Sequence, residues 1–155
     1  MKITLVAVGK VKGSLVDAVR DYEERAARYW KLAVIEVDAG AGGSKDEVEA
    51  VRQAEEERIL ARLPGDADLV ALTRTGQAVG SRAFASYLQD HAVHGRDVAF
   101  VIGGAFGLGA GLVARARQMT LSPMTFPHEV ARLLLAEQLY RAGTILRGEP
   151  YHKGP

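Results

Sequence analysis

Glycines recur through the segment VIGGAFGLGAG, which covers residues 101–111 and begins as an apolar run. Glycine-rich backbone lets a ligand approach peptide N–H and C=O groups closely. A dinucleotide fingerprint, G-x-G-x-x-G, would require a third glycine where Leu112 stands, and a phosphate-binding P-loop would require a lysine in place of Ala110. The segment therefore predicts either a simple strand-to-helix turn or a backbone-lined pocket for an uncharged or cationic ligand.

The pair His128-Glu129 is similar to the start of the zinc motif H-E-x-x-H, but Arg132 occupies the position of the second histidine. The chain has no cysteine, which excludes disulfides, thiolate metal sites and cysteine nucleophiles. We therefore expect no metal site. Locally, His128 is interpreted as a polar residue at a helix N-terminus that packs against a neighbour, ahead of any catalytic role.

The stretch PYHK at 150–153 places an aromatic ring, an imidazole and a cation side by side. Such groups can stack on a base, move a proton and hold a phosphate; the alternative is a frayed chain end. Upstream, Glu137 and Arg141 have the i,i+4 spacing of a helical ion pair. Arg132 and Arg141 are nine residues apart, so they do not share a helix face.

The elements that must position these residues belong to an ordinary globular chain. Its 155 residues are 48% hydrophobic, which predicts one domain over residues 1–155. Twenty basic and 19 acidic residues give a net charge of +1, so an RNA-binding surface would be local or built by dimerisation. The first apolar run, 3–8, is too short for a signal peptide, and no stretch approaches the ~20 apolar residues of a membrane span. We expect a soluble cytoplasmic protein without membrane contact.

Strands and helices are predicted to alternate along the chain. Apolar and β-branched runs predict strands at 3–8, 32–37, 68–73 and 97–102, with a short extended segment at 119–124. Helical spacing predicts helices at 15–29, 45–63, 81–93, 112–118 and 129–146. Ser14 is a candidate cap for the first helix, and the glycine-rich stretch 39–44 predicts a flexible loop.

This order predicts an α/β fold, a mostly parallel sheet with helices on both faces. In the last helix, the residues predicted to be available for burial are Val130, Leu133, Leu134, Leu139 and Ile145. Ligands of such folds bind at the carboxyl ends of the strands. The loops after Leu72, Ile102 and Leu121 are therefore the expected binding region.

Taken together, the segments VIGGAFGL and LSPMTFPHEVARLLLAEQLYRAGTILRGEPYHKG and the chain length resemble the RlmH family. These are SPOUT-class methyltransferases that act on N3 of a pseudouridine in large-subunit (23S) ribosomal RNA. The resemblance covers the whole chain and is densest from 100 to 153; the N-terminal half matches in strand-helix order and in LVAVGKVK. One departure is Ala105-Phe106, where family members often carry a proline first, which should alter the loop's shape slightly.

The resemblance implies a SPOUT-type C-terminal trefoil knot, which pattern rules would not predict because true knots are nearly absent from proteins. It also implies S-adenosylmethionine as the cofactor, bound in that knot. By match to the family pattern, the pocket residues are Leu72, Gly103, Gly104, Ser122, Pro123, Met124, Thr125, Phe126 and Pro127. This cofactor is a sulfonium cation without a phosphate, which agrees with the missing phosphate motifs.

The resemblance implies that the tail at 150–153 is important for function, but it does not identify the residue that takes the proton. The acceptor nitrogen is a weakly acidic imide and must lose a proton. His152 is the first candidate for the base, Arg141 for stabilising negative charge on the uracil carbonyls, and Tyr151 for stacking on the target base. Lys153 and Arg132 are expected to contact RNA phosphates. His128 is a weaker base candidate on the RNA-binding side.

Family members work as homodimers with a site at the interface, so residues 150–153 of one subunit are expected to complete the site of the other. We expect no appended RNA-binding domain in this length, so recognition should depend on the shape of the assembled ribosome. Two alternatives stay open. One is a dinucleotide-dependent oxidoreductase on a flavodoxin-like sheet, which both phosphate motifs disfavour. The other is a non-catalytic RNA-binding or dimerisation module that keeps the knot.

Overall fold

The computed structural model describes residues 1–40 and 44–155. Within them, the strands are β1 Lys2–Val8, β2 Lys31–Val37, β3 Asp68–Ala78, β4 Val98–Ile102 and β5 Arg117–Thr120. The α-helices are α1 Val16–Ala26, α2 Val48–Leu60, α3 Ser81–Val93, α4 Ala110–Arg115 and α5 His128–Leu146. Single 3-10 turns precede α1 at Gly13–Leu15 and α2 at Lys45–Glu47. The predicted alternation of strands and helices is confirmed.

The strands form one sheet in the order β2-β1-β4-β3-β5, and every strand pair in it is parallel. Val101 of the central strand β4 lies opposite Val6 on one side and Ala71 on the other. A flavodoxin-like sheet has the order 2-1-3-4-5. Here β3 and β4 exchange places, so the flavodoxin-like alternative is wrong in its topology.

Side chains alternate between the two faces of the sheet, and helices cover both. On one face Leu5 and Phe100 share a core with residues of α1, α3 and α5. On the other face Val6 and Val101 pack with Ile59 of α2 and with α4. Strands buried on both sides carry continuous apolar runs, as the 98–102 segment does. The expected α/β class with helices on both faces is confirmed.

Local differences from the predicted elements have physical causes. Ser14 lies in the 3-10 turn, and α1 begins after Leu15 without a side-chain cap. The predicted flexible loop 39–44 falls partly outside the described residues, at 41–43. The helix predicted at 112–118 ends at Arg115, because Arg117 already pairs with β3.

The buried face of α5 also differs from the prediction. Leu139 is buried as expected, but Leu134 is exposed and Leu135 is fully buried. The helix lies between α1 and α3, so its buried stripe follows the contacts with both neighbours rather than the strongest local apolar spacing. No helix in the described part of the chain is long and apolar enough to cross a membrane.

Strand β3 runs five residues beyond the predicted end, to Ala78, and pairs with β5 across an irregularity between Leu72 and Gln77. Gly76 makes this approach possible. A Cβ atom placed there would lie 2.6 Å from the backbone N and C of Met119. Backbone cannot move away cheaply at this distance, so only glycine fits.

We expect Gly76→Ala to lower the free energy of unfolding by about 2 kcal/mol, seen as a fall of roughly 6 °C in the thermal midpoint. Gly65→Ala is the matched control, because a Cβ there meets nothing within 4 Å. That variant should keep the wild-type midpoint or slightly raise it. Equal losses in the two variants would contradict the close-approach account.

Candidate active site

The loops at the carboxyl ends of the strands bring the predicted pocket residues to one edge of the sheet. Leu72 lies opposite Met119 of β5, Gly103 and Gly104 follow β4, and 122–127 connects β5 to α5. At the same edge, α5 starts beside the end of β1: a Cβ at Gly9 would lie 2.8 Å from Cε1 of His128. His128 therefore packs against a neighbour at a helix N-terminus, as its local interpretation predicted.

The connection between β5 and α5 is shaped by two side-chain hydroxyls. The Thr120 hydroxyl donates to the Ser122 carbonyl at 2.7 Å and accepts the Ser122 N–H at 3.1 Å. The Ser122 hydroxyl then accepts the Met124 N–H at 3.1 Å. Met124 is 72% exposed, an unusual placement for so large an apolar side chain. The loop thus offers an apolar side chain and backbone groups for a further contact.

The local backbone requires glycine at two of the positions between 103 and 111, and the α2 carboxylates lie close to others. Gly103 approaches the backbone of Gly107, and Gly107 itself has φ +78°, which favours glycine. A Cβ at Gly104 would lie 2.9 Å from both carboxylate oxygens of Glu55. Helix α2 therefore lies directly against this loop. Shaping a strand-to-helix turn, one of the two predictions for the segment, accounts for these glycines.

Glu55 is the residue of this edge that the sequence analysis missed. It is only 3% exposed, and its Oε2 accepts the Gly40 N–H at 2.8 Å. Its Oε1 is buried and has no hydrogen-bond partner in the described structure. A signal was present in the sequence, because Val51, Glu55 and Ile59 have helical spacing and share the buried face of α2.

The unpaired Glu55 oxygen restricts the chemistry of a ligand bound at the glycine loop. A buried polar atom without a partner costs free energy, so a ligand that donates a hydrogen bond or carries positive charge is favoured there. A phosphate would instead bring a second anion to the same loop. The geometry thus agrees with the absence of phosphate-binding motifs from the sequence.

The C-terminal tail is anchored on the middle of α5. The Tyr151 hydroxyl donates to Glu137 Oε1 at 3.0 Å, and Arg141 Nη2 donates to the same oxygen at 2.5 Å. The Arg141 guanidinium lies 4.8 Å from the centre of the Tyr151 ring. The centres of the Tyr140 and Tyr151 rings are 4.6 Å apart. Burial, with hydrogen bonds to Tyr22 and Glu137, raises the pKa of Tyr151, so its hydroxyl stays protonated. A frayed tail is thereby contradicted.

The contact between Arg141 and His152 fixes the tautomer of the imidazole. Arg141 Nη1 lies 3.1 Å from His152 Nδ1. A guanidinium only donates hydrogen bonds, so Nδ1 must be the acceptor and the neutral ring carries its proton on Nε2. Nε2 accordingly lies 3.0 Å from the carbonyl oxygen of Pro155, as a donor would. In this arrangement His152 presents an N–H group outward, not a lone pair.

Arg132 and Lys153 have different surroundings. Arg132 is 7% exposed; its Nε donates to Glu23 at 2.6 Å and its Nη1 to Glu36 at 2.8 Å. Its expected contact with an RNA phosphate is therefore replaced by a structural ion pair that joins α5 to α1 and β2. Lys153 is exposed at the tail. Arg132 and Arg141 do face different sides of α5, as their spacing predicts.

The opposite edge of the sheet has a cavity of about 470 Å³ at the amino end of β3. Asp68 Oδ2 accepts the Tyr87 hydroxyl at 2.8 Å and lies 3.0 Å from Nε2 of His91. Burial raises the pKa of Tyr87, and Arg117 lies 5.4 Å from the centre of its ring. Because Tyr87 and His91 of α3 both form hydrogen bonds with Asp68 of β3, we assign these residues a structural role in joining α3 to β3. Among the described residues, no group of three or more His, Cys, Asp or Glu could hold a metal ion.

Comparison with known proteins agrees with this geometry. Residues 1–152 match the family described as "Predicted SPOUT methyltransferase". The chain is 52% identical over 155 residues to ribosomal RNA large subunit methyltransferase H of Gemmatimonas aurantiaca, covering 99% of this chain and 100% of that protein. It is 42% identical over 159 residues to the protein of the same name from Carboxydothermus hydrogenoformans, with 99% and 100% covered.

A solved structure also shares the fold. A methylase family protein from Neisseria gonorrhoeae superposes with a TM-score of 0.56 at 15% identity, covering 99% of this chain and 87% of that one. At such low identity the likeness concerns the fold alone. It confirms the expected fold class independently of the sequence motifs.

Proposed function

The chain belongs to the SPOUT methyltransferase family, and we propose that it transfers a methyl group from S-adenosylmethionine to N3 of a pseudouridine in 23S ribosomal RNA. The names of its relatives support large-subunit ribosomal RNA as the substrate. The pseudouridine and its N3 atom follow from the resemblance of the motifs between 100 and 153. The observation that carries the proposal is the anchored tail, in which Arg141, Tyr151 and His152 form one network.

The residues at the carboxyl edge fit the proposed cofactor. Backbone groups at Gly103, Gly104 and 122–127 can pair with an adenine edge, while Leu72 can enclose its ring. The unpaired Glu55 oxygen suits a cation that bears hydrogen-bond donors. When bound, S-adenosylmethionine supplies an electrophilic methyl group. The trefoil knot stays part of the proposal, supported by family membership and by the passage of the chain from β4 past β3 to β5.

The tail provides groups for the acceptor base. Tyr151 is the proposed stacking ring; Tyr140 and the Arg141 guanidinium both lie against this ring, so a stacked base would replace one of these contacts. Arg141 can donate to the uracil carbonyl oxygens, where negative charge develops as N3 attacks, and so can the Nε2–H of His152 once it exchanges the Pro155 carbonyl for the substrate. We therefore assign His152 the role of a hydrogen-bond donor in place of the expected base. As N3 displaces the cofactor sulfur from the methyl carbon, an N–C bond would form, the S–C bond would break, and the N3 proton would leave to solvent.

The site requires two subunits in this proposal. Arg141 follows His128 by 13 residues, so it lies about 20 Å along α5 from the cofactor loops. That span is too long for the tail network to reach a methyl group bound in the same subunit. A partner subunit could bring its own tail to these loops. Large apolar side chains that stay exposed, Val16, Met124 and Leu134, are available for such an interface.

Recognition of an assembled ribosome agrees with the charge of the chain. A net charge of +1 gives one subunit no overall positive charge for gripping free RNA. Lys153, exposed beside the tail network, is the proposed phosphate contact, and His128 stays a candidate on the RNA-binding side. An enzyme with this substrate would act in the cytoplasm, where ribosomes are.

The test is transfer of labelled methyl from S-adenosylmethionine to ribosomes that lack the modification, followed by identification of the nucleoside. We expect N3-methylated pseudouridine on assembled particles, and at least about tenfold less on free 23S ribosomal RNA. Cofactor binding without transfer would show that the substrate is wrong. Equal activity on free RNA would contradict recognition of the assembled ribosome.

A further inference from the structure

Helix α2 has an unusually close relation to the glycine loop. Arg52 Nε donates to the Phe106 carbonyl at 2.6 Å. One turn on, the Glu55 carboxylate lies against Gly104, where a Cβ would meet both of its oxygens at 2.9 Å. The proposed cofactor loop is therefore built directly on this carboxylate.

The Glu55 carboxylate accepts fewer hydrogen bonds from the described residues than it could. An ionised carboxylate can accept about four hydrogen bonds. Among the described residues, Glu55 Oε2 accepts the Gly40 N–H at 2.8 Å and Oε1 accepts no hydrogen bond. The helix places this acid on its buried face, between Val51 and Ile59. Retaining an unpaired charge under the loop suits a role in binding.

We infer that Glu55 provides the negative charge by which the site prefers a cationic cofactor to its neutral product. The inference rests on the proposed function. S-adenosylmethionine carries a sulfonium cation, and this charge disappears when the methyl group leaves. A fixed carboxylate one backbone layer from the loop attracts the first species and has no such attraction for S-adenosylhomocysteine. Glu55 thus favours loading of the cofactor and release of the product.

The expected effect is selective for ligand charge. For charges separated by several ångströms in a partly buried site, removing one should weaken binding of the cation by about tenfold. Binding of the neutral product should change by less than about threefold, because the shape of the loop is kept. If Glu55 had a purely structural role, its substitution would instead weaken the binding of both ligands equally.

The experiment measures dissociation constants by calorimetry for S-adenosylmethionine, S-adenosylhomocysteine and sinefungin, an analogue with a protonated amine in place of the methylsulfonium. Wild type, Glu55→Gln and Glu57→Gln are compared. Glu57 is exposed on the same helix, so its variant loses the same charge without touching the loop. We expect Glu55→Gln alone to lose the preference for the two cations. An unchanged ratio of affinities, or equal weakening of all three ligands, would overturn the inference.

A second measurement does not depend on a stable variant. In wild-type protein labelled with ¹³C, the Glu55 carboxyl resonance should shift more with S-adenosylmethionine and sinefungin than with S-adenosylhomocysteine. Equal shifts with all three would overturn the inference. If wild type binds none of the ligands, the proposed function fails with it; if wild type binds them without charge preference through Glu55, only the inference fails.

Discussion

Replacing Arg141 with methionine is expected to reduce kcat for methyl transfer to ribosomes by about 100- to 1,000-fold. The guanidinium donates to Glu137 and to His152 Nδ1, and it lies over the Tyr151 ring. Its removal takes away the charge proposed to stabilise the uracil oxygens. It also removes the hydrogen bond to Nδ1 that keeps the His152 proton on Nε2. Methionine keeps the length and apolar stem of the side chain, so the fold of α5 should persist.

Affinity measurements separate this effect from damage to the cofactor site. Arg141→Met should leave the dissociation constant of S-adenosylmethionine within about threefold of wild type, since Arg141 is assigned to the uracil carbonyl oxygens and to no contact with the cofactor. Arg141→Lys should restore only part of the activity, because a lysine cannot supply the planar fork of donors. Arg147→Met serves as control: Arg147 lies 4.5 Å from the ring centre of Tyr29, away from His152. Wild-type turnover in Arg141→Met would refute the assigned role.

Replacing Arg132 with methionine is expected to lower the free energy of unfolding by about 3 kcal/mol, or roughly 9 °C in the thermal midpoint. The guanidinium pairs with Glu23 on α1 and Glu36 on β2, and its side chain is only 9% exposed. Without it, two carboxylates remain close together, with side chains 16% exposed at Glu23 and 35% exposed at Glu36. The loss should therefore exceed that of an exposed pair, whose net contribution is small.

Neutralising the partners should reverse part of this loss. In Arg132→Met combined with Glu23→Gln and Glu36→Gln, the repulsion between the two carboxylates disappears and about half of the lost stability should return. Arg20→Met, which breaks an exposed pair with Asp17, is the surface control and should change the midpoint little. Equal midpoints for Arg132→Met and Arg20→Met would refute the account, as would a midpoint unaffected by removal of the two carboxylates.

Much of the fold was predictable because it depends on short-range patterns. Runs such as 98–102 predict strands, and the helix Ser81–Val93 was predicted with its observed bounds. Boundaries failed where a distant partner decides them. Strand β3 continues past residue 73 because Gly76 permits close pairing with β5, a contact over more than forty residues of chain. Ser14 did not cap α1, since a 3-10 turn occupies the start of that helix.

The residues of the candidate site could be predicted from the sequence, but their hydrogen-bond and ion-pair partners could not. The glycine loop, the 122–127 loop and the tail were all identified from residue types and from the family resemblance. Their partners were not. Glu55 was not predicted as a site residue because its helix is strongly charged. Its spacing from Val51 and Ile59 nevertheless places it on the buried face. Arg132 and Arg141 were both expected to act on RNA, yet one of them is enclosed by two carboxylates.

The sequence by itself determined the alternation of strands and helices, the absence of phosphate-binding and thiolate chemistry, and the family. These follow from local periodicity and from residue identity, which folding does not change. Tertiary structure alone decided that β4 lies between β1 and β3, and that Arg141 fixes the proton of His152 on Nε2. It also placed Glu55 beneath Gly104, with an Oε1 that has no hydrogen-bond partner among the described residues. The physical reason is that burial and hydrogen-bond pairing depend on which distant elements meet. Periodicity specifies an apolar face but not its partner.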